Sequence, residues 1–141
     1  MPRLFALLVL LSLPALAQTL VEVTTVAAIS SSLDAAVRLP SGSYRAGKGS
    51  DLILARMPDA ARFNLEVFAA KGVATRLQPA FIQQVLTNFV AAGYLLEGQQ
   101  ERNLNGETQT RYNLSDASGK QAVLFVVRKG DELVYAFGKA K

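Results

Sequence analysis

Between Gln78 and Gly93 the apolar residues recur with the period of a helix. At about 100° per residue, Phe81, Ile82, Val85, Leu86, Phe89, Val90 and Ala92 fill one half of a helical wheel, while Ala80, Gln83, Gln84, Thr87, Asn88 and Ala91 fill the other. Pro79 suits the first helical position, where its missing N–H would have had no partner. Gly93 suits the left-handed residue that ends a helix. The pattern predicts a main helix over residues 79–92.

Beyond Gly93 the pattern becomes strand and turn. Tyr94 to Asn103 and Glu107 to Ser115 flank Asn105-Gly106, a dipeptide that favours a type I′ hairpin turn because both residues tolerate positive φ. A plain two-residue hairpin would set Glu97 opposite Leu114. One extra residue near Gly98 brings Leu96 opposite Leu114 instead, so a bulge is expected at or beside Gly98. Gln121 to Arg128 is apolar on both faces, as an interior strand covered on both sides would be. In Glu132 to Phe137, Leu133, Tyr135 and Phe137 share a face.

Upstream, Phe63 to Phe68 alternates, with Phe63, Leu65 and Val67 on one face. Asp51 to Arg56 reads as a further strand. Ser30-Ser31-Ser32 offers a helix cap, and helical structure is expected within residues 20–38, before Pro40 ends it. Strands and helix segregate along the chain, which is the α+β pattern. The expected fold is an antiparallel sheet, a four-strand C-terminal meander plus one or two earlier strands, packed on the main helix.

Two stretches break the patterns. From Glu97 to Arg111 only Leu104 is large and apolar, so the outer half of this hairpin is expected to project as a polar finger. Arg102, Leu104, Arg111 and Glu101 are its candidate partner contacts. The polar half of the helix carries no charge, where solvated faces usually carry lysine and glutamate. Burial against the N-terminal segment is expected there, with a dimer contact as the competing reading; the expected state is a monomer.

The N-terminus has the form of a secretory signal peptide. Arg3 precedes an apolar run from Leu4 to Leu13, and Ala15-Leu16-Ala17 provides the small residues of a cut site. Cleavage after Ala17 would remove residues 1–17 and leave one domain, residues 18–141, secreted or periplasmic, with no transmembrane segment. The chain has neither cysteine nor histidine. It therefore lacks disulfides, the usual zinc ligands and the commonest general base. No cofactor, metal ligand or catalytic residue stands out.

The formal charge of +4 is modest. Between Ala35 and Gln78, however, Arg38, Arg45, Lys48, Arg56, Arg62, Lys71 and Arg76 outnumber Asp51, Asp59 and Glu66. Arg45, Lys48 and Tyr44 form the candidate anion patch. Few aromatic residues are interleaved for base stacking, which argues against nucleic acid. Gly42 with Gly47-Lys48 matches the start of a phosphate-cradling loop, but Gly49 replaces the hydroxyl residue and a strand is expected where that motif needs a helix. Asn113-Leu114-Ser115 matches a glycosylation acceptor on a predicted strand, where a chance match is expected. The function these features favour is an exported, non-enzymatic binding or envelope-associated domain, its partner an unknown protein or envelope component. A small hydrolase using carboxylates or a serine, and a carrier of an apolar ligand between helix and sheet, are the alternatives.

Overall fold

The computed structural model describes residues 27–46, 49–70 and 72–141. In chain order the elements are β1 (Ala27–Ser30), β2 (Arg38–Pro40), β3 (Ser43–Arg45), α1 (Gly49–Arg56), β4 (Phe63–Ala70), α2 (Gln78–Ala91), β5 (Leu95–Leu104), β6 (Glu107–Ser115), β7 (Gln121–Lys129) and β8 (Glu132–Ala140). Single 3-10 turns at Ala60–Arg62 and Thr75–Leu77 precede β4 and α2. The main sheet is antiparallel, in the order β3-β4-β8-β7-β6-β5, and β1 and β2 make a separate two-stranded ladder. The fold is α+β. Strands β5 to β8 form the meander; β3 and β4 are the earlier strands, with β4 joined to the last strand, β8.

Helix α2 starts at Gln78 with Pro79 in its first turn. It ends through a Schellman arrangement. Gly93 has φ 97°, its N–H donates to the Val90 carbonyl, and the Tyr94 N–H donates to that of Phe89, both at 3.0 Å, which satisfies carbonyls the helix would leave open. Phe81, Ile82, Val85 and Phe89 are buried, while Val90, expected inside, is exposed. Gln78 is also buried, because its Nε2 donates to the Gly130 carbonyl (3.0 Å) at the β7–β8 turn.

The sheet has a core on each face. On one, α2 meets Phe68, Tyr112, Leu114, Leu124, Val126, Leu133, Tyr135 and Phe137, with Val37 and Leu39 closing the edge. Phe89 packs edge-on against Phe137 at 4.7 Å, and Phe68 stacks on Tyr135 at 5.3 Å. On the other face, Ile53 and Met57 from α1 and its exit meet Phe63, Val67, Val123, Phe125, Val127 and Ala136. Strand β7 therefore alternates between two cores, as its doubly apolar sequence requires. The β5–β6 hairpin also has the expected register. Asn105 and Gly106 both have positive φ (53° and 75°), Leu96 lies opposite Leu114, and the bulge falls between Leu96 and Gly98.

Three expectations are corrected. Residues 27–38 are not helical. Ser31 and Ser32 cap no helix; their hydroxyls go instead to the Glu66 carboxylate on β4, and Asp34 folds the chain into a tight turn by accepting from the Ala36 N–H (3.0 Å). Residues 20–26, like the proposed signal segment 1–17, lie outside the described residues. Asp51 to Arg56 is helix, not strand. Ile53 and Met57 stand one helical turn apart and are both buried, and the intervening Leu, Ala and Arg are good helix formers. Finally, the outer hairpin does not project. Strand β6 is paired along its length, with β5 on one side and, from Thr108 to Ser115, with β7 on the other. Only β5 is an edge.

Candidate functional site

Helix α1 has eight residues, about 12 Å of helix. A six-stranded sheet is about 24 Å wide. One short helix cannot cover that face, and the part it leaves open lies over β5 and β6. There β6 presents Glu107, Gln109, Arg111 and Asn113, every second residue, all polar. On the opposite face the same strand presents Thr108, Thr110, Tyr112 and Leu114. Polar residues on both faces hid the alternation from a reading based on hydrophobicity. They mark a row of side chains bordering a groove, not a finger in solvent.

Two bidentate ion pairs cross this groove. Arg56, from the end of α1, donates through Nε and Nη2 to Glu107 (2.6 and 2.9 Å) and through Nη1 to the Leu52 carbonyl (3.0 Å). Arg111 donates through Nη1 and Nη2 to Asp59 (2.6 and 2.9 Å) and through Nε to Asn113 Oδ1 (2.9 Å). Its guanidinium also lies 5.9 Å from the centre of the Phe63 ring. The hydrogen bond from Arg56 holds the Glu107 carboxyl below the usual range, outweighing burial. The one from Arg111 does the same for Asp59. Fork-to-fork pairs of this kind fix both partners.

Between the pairs lies a cavity of about 210 Å³, bordered by Arg56, Met57, Pro58, Gln100, Glu101, Arg102, Gln109, Arg111 and Phe125. Met57 and Phe125 give it an apolar floor and are themselves buried. Adjoining it at the hairpin tip is a second cavity of about 320 Å³ that shares Arg56 and Gln109 and is bordered by Leu104 and Lys129. A relay of hydrogen bonds sets the rim. Gln109, 4% exposed, donates from Nε2 to Glu107 Oε2 (2.7 Å), and its Oε1 accepts from Arg102 Nε (2.9 Å). Arg102 has no carboxylate within ion-pair distance among the described residues.

The residues expected to make contacts are thus only partly united. Arg102, Arg111 and Glu101 all border the central cavity and Leu104 borders the adjoining one, but the Glu101 carboxylate turns to the opposite face. There it accepts from Thr110 (3.3 Å) and stands 3.8 Å from Arg128. Sequence reasoning missed Arg56, Met57, Gln109 and Phe125. The E-x-Q-x-R-x-N row from Glu107 to Asn113 was visible, but α1, which it faces, read as a strand.

Of the expected anion patch the structure describes Arg45 and Tyr44. Arg45 donates from Nε to Glu66 (3.1 Å) and from Nη2 to the Ser30 carbonyl (2.7 Å). Tyr44 is exposed, and Lys48 lies outside the described residues. Burial would raise the Glu66 carboxyl, but Ser31, the hydroxyl and N–H of Ser32, and Arg45 together hold it below the usual range. The phosphate-loop match fails for a new reason. A helix does begin at Gly49, yet Ser43 to Arg45 is an extended strand paired with Ala70 to Phe68 and does not wrap as a cradle. Asn113 carries out structural work as the acceptor for Arg111. Among the described residues no cluster of three or more acidic side chains is placed to hold a metal, and no helix is long and apolar enough to cross a membrane. The chain matches no protein-family model and no curated protein.

Proposed function

We propose that the chain is an exported, non-catalytic binding domain whose recognition surface is the groove between α1 and the β5–β6 hairpin. The observation that carries this reading is the relay from Glu107 through Gln109 to Arg102. A buried charge orients a buried amide, which orients a guanidinium at the rim of a cavity. An exposed arginine ordinarily samples many rotamers, and ordering it costs about 2 kcal/mol. Here part of that cost has been met in folding, as a binding residue requires. The signal-like pattern over residues 1–17 supports export.

The alternatives gain less. Hydrolysis by two carboxylates needs a facing pair, whereas Asp59, Glu66 and Glu107 are each engaged by an arginine. An apolar carrier needs space between helix and sheet, and that layer is filled by Phe68, Phe81, Phe89, Tyr94, Tyr135 and Phe137 in mutual ring contact.

The test uses the full chain, expressed in its host with a photo-reactive side chain at Gln100 or, as a control, at Leu54 on the outer side of α1. The expected result is a species shortened by cleavage after Ala17 in the exported fraction, with light-induced adducts at Gln100 and none at Leu54. An uncleaved protein retained in the cytoplasm, or equal labelling at the two positions, would overturn the proposal.

A further inference from the structure

The groove has a definite chemistry. Arg56 and Arg111 bring two positive charges, and Glu107 and Asp59 cancel them at hydrogen-bonding distance. Arg102 remains. Its Nε is spent on Gln109, and its Nη2 makes only a 3.5 Å contact with the Arg56 carbonyl. The outer edge of its guanidinium keeps N–H groups with no acceptor among the described residues. Gln100, two positions back and so on the same face of β5, borders the cavity beside it. Glu101 also borders the cavity, but its carboxylate is engaged on the other face by Thr110 and Arg128 and pairs with neither. Below the rim the lining turns apolar, with Met57, Pro58 and the Phe125 ring.

We infer that the groove binds a small organic anion, its carboxylate or phosphate held by Arg102 with help from Gln100, and its apolar body laid on Met57 and Phe125. A cation would meet Arg102 unscreened. A neutral ligand could accept a hydrogen bond but would leave the charge of the oriented guanidinium unmatched. A bare inorganic anion would leave the apolar floor unused. A cavity of about 210 Å³ has room for a single ring or short chain with one charged group. Arg56 and Arg111 act here as positioning residues. They hold the walls, and their own forks are filled.

This inference rests on the groove being a binding surface, but it can fail by itself, since labelling at Gln100 would not depend on ligand charge. The experiment follows backbone and methionine-methyl NMR shifts of the full processed chain with three probes: benzoate, its neutral relative benzyl alcohol, and inorganic phosphate. Benzoate is expected to shift the amides of Gln100, Arg102 and Gln109 together with the Met57 methyl. Benzyl alcohol is expected to bind at least ten-fold more weakly, and Arg102→Gln to weaken benzoate by ten-fold or more, the size of one charge-assisted hydrogen-bonded contact. Arg102→Lys, which keeps the charge and loses the fork, should fall between. Equal shifts with benzoate and benzyl alcohol would overturn the anion. Undiminished benzoate binding by folded Arg102→Gln would overturn its anchor. Phosphate binding as tightly as benzoate would overturn the apolar body.

Discussion

Gly138 sits where side chains from both neighbouring strands converge. A methyl group there would come within 2.8 Å of Leu65 Cδ2 and 3.0 Å of Phe63 Cβ and Val123 Cγ1. The leucine tip can rotate away, but a Cβ and a β-branched methyl cannot. Gly138→Ala is therefore expected to cost about 1–3 kcal/mol through overpacking, read as a lower urea midpoint with unchanged m. An unchanged midpoint would show that β4 and β7 can spread. This glycine carried no mark in the sequence, because its constraint comes from β4 and β7, which only the sheet brings beside it. Gly93, Gly98 and Gly106 were legible because their constraints are local: a helix end, a bulge and a turn. Arg102 lay between these cases. Its place on the hairpin could be read, but not the buried amide that aims it.

The hairpin is the element whose meaning changed most. A free finger could be cut short without harm. This one cannot, since β6 is an interior strand and carries Glu107, the partner of a half-buried Arg56. Replacing Gln99–Thr110 by a two-residue turn would remove the pairing of Thr108 to Thr110 with Arg128 to Val126 and strand Arg56, at about 1–3 kcal/mol for the broken, partly solvated pair alone. The expected product binds a hydrophobic dye and lacks a cooperative thermal transition. Wild-type unfolding of the shortened chain would restore the free-finger description. The main helix was readable because fourteen residues give its period time to show. Helix α1 was not, because over eight residues Leu52-Ile53-Leu54 fits either period, and what decides is the second core, with Phe63, Val67, Val123 and Phe125, in which Ile53 is buried.

For the whole molecule, stability should follow pH through a plateau with two edges. Asp59, Glu66 and Glu107 all have folded-state values below the ordinary carboxylate range. Their stabilisation is present above the unfolded values near 4 and lost as pH falls through the folded ones. Tyr94 and Tyr135 run the other way. Burial first, then Asp34 for Tyr94, raises both phenols, so their contribution holds below about pH 10 and fades above it. The urea midpoint is expected to be flat from about pH 5 to 9 and to fall on both sides. Glu66→Gln should lower the plateau and flatten the acid edge. A midpoint as high at pH 3 as at pH 7 would contradict the assignment.

The sheet order has a consequence in time. Strand β4 pairs along its length with β8, from Phe63 opposite Ala140 to Ala70 opposite Leu133, and both cores draw on these two strands. A ribosome makes β4 long before β8. Until residues 132–140 emerge, β4 has no central neighbour and neither core can close, although the hairpin of β5 and β6 can already form. Topology thus acts as a clock that delays final compaction to the end of synthesis. For a chain proposed to be exported, that delay would prolong the unfolded state in which it could be carried across a membrane.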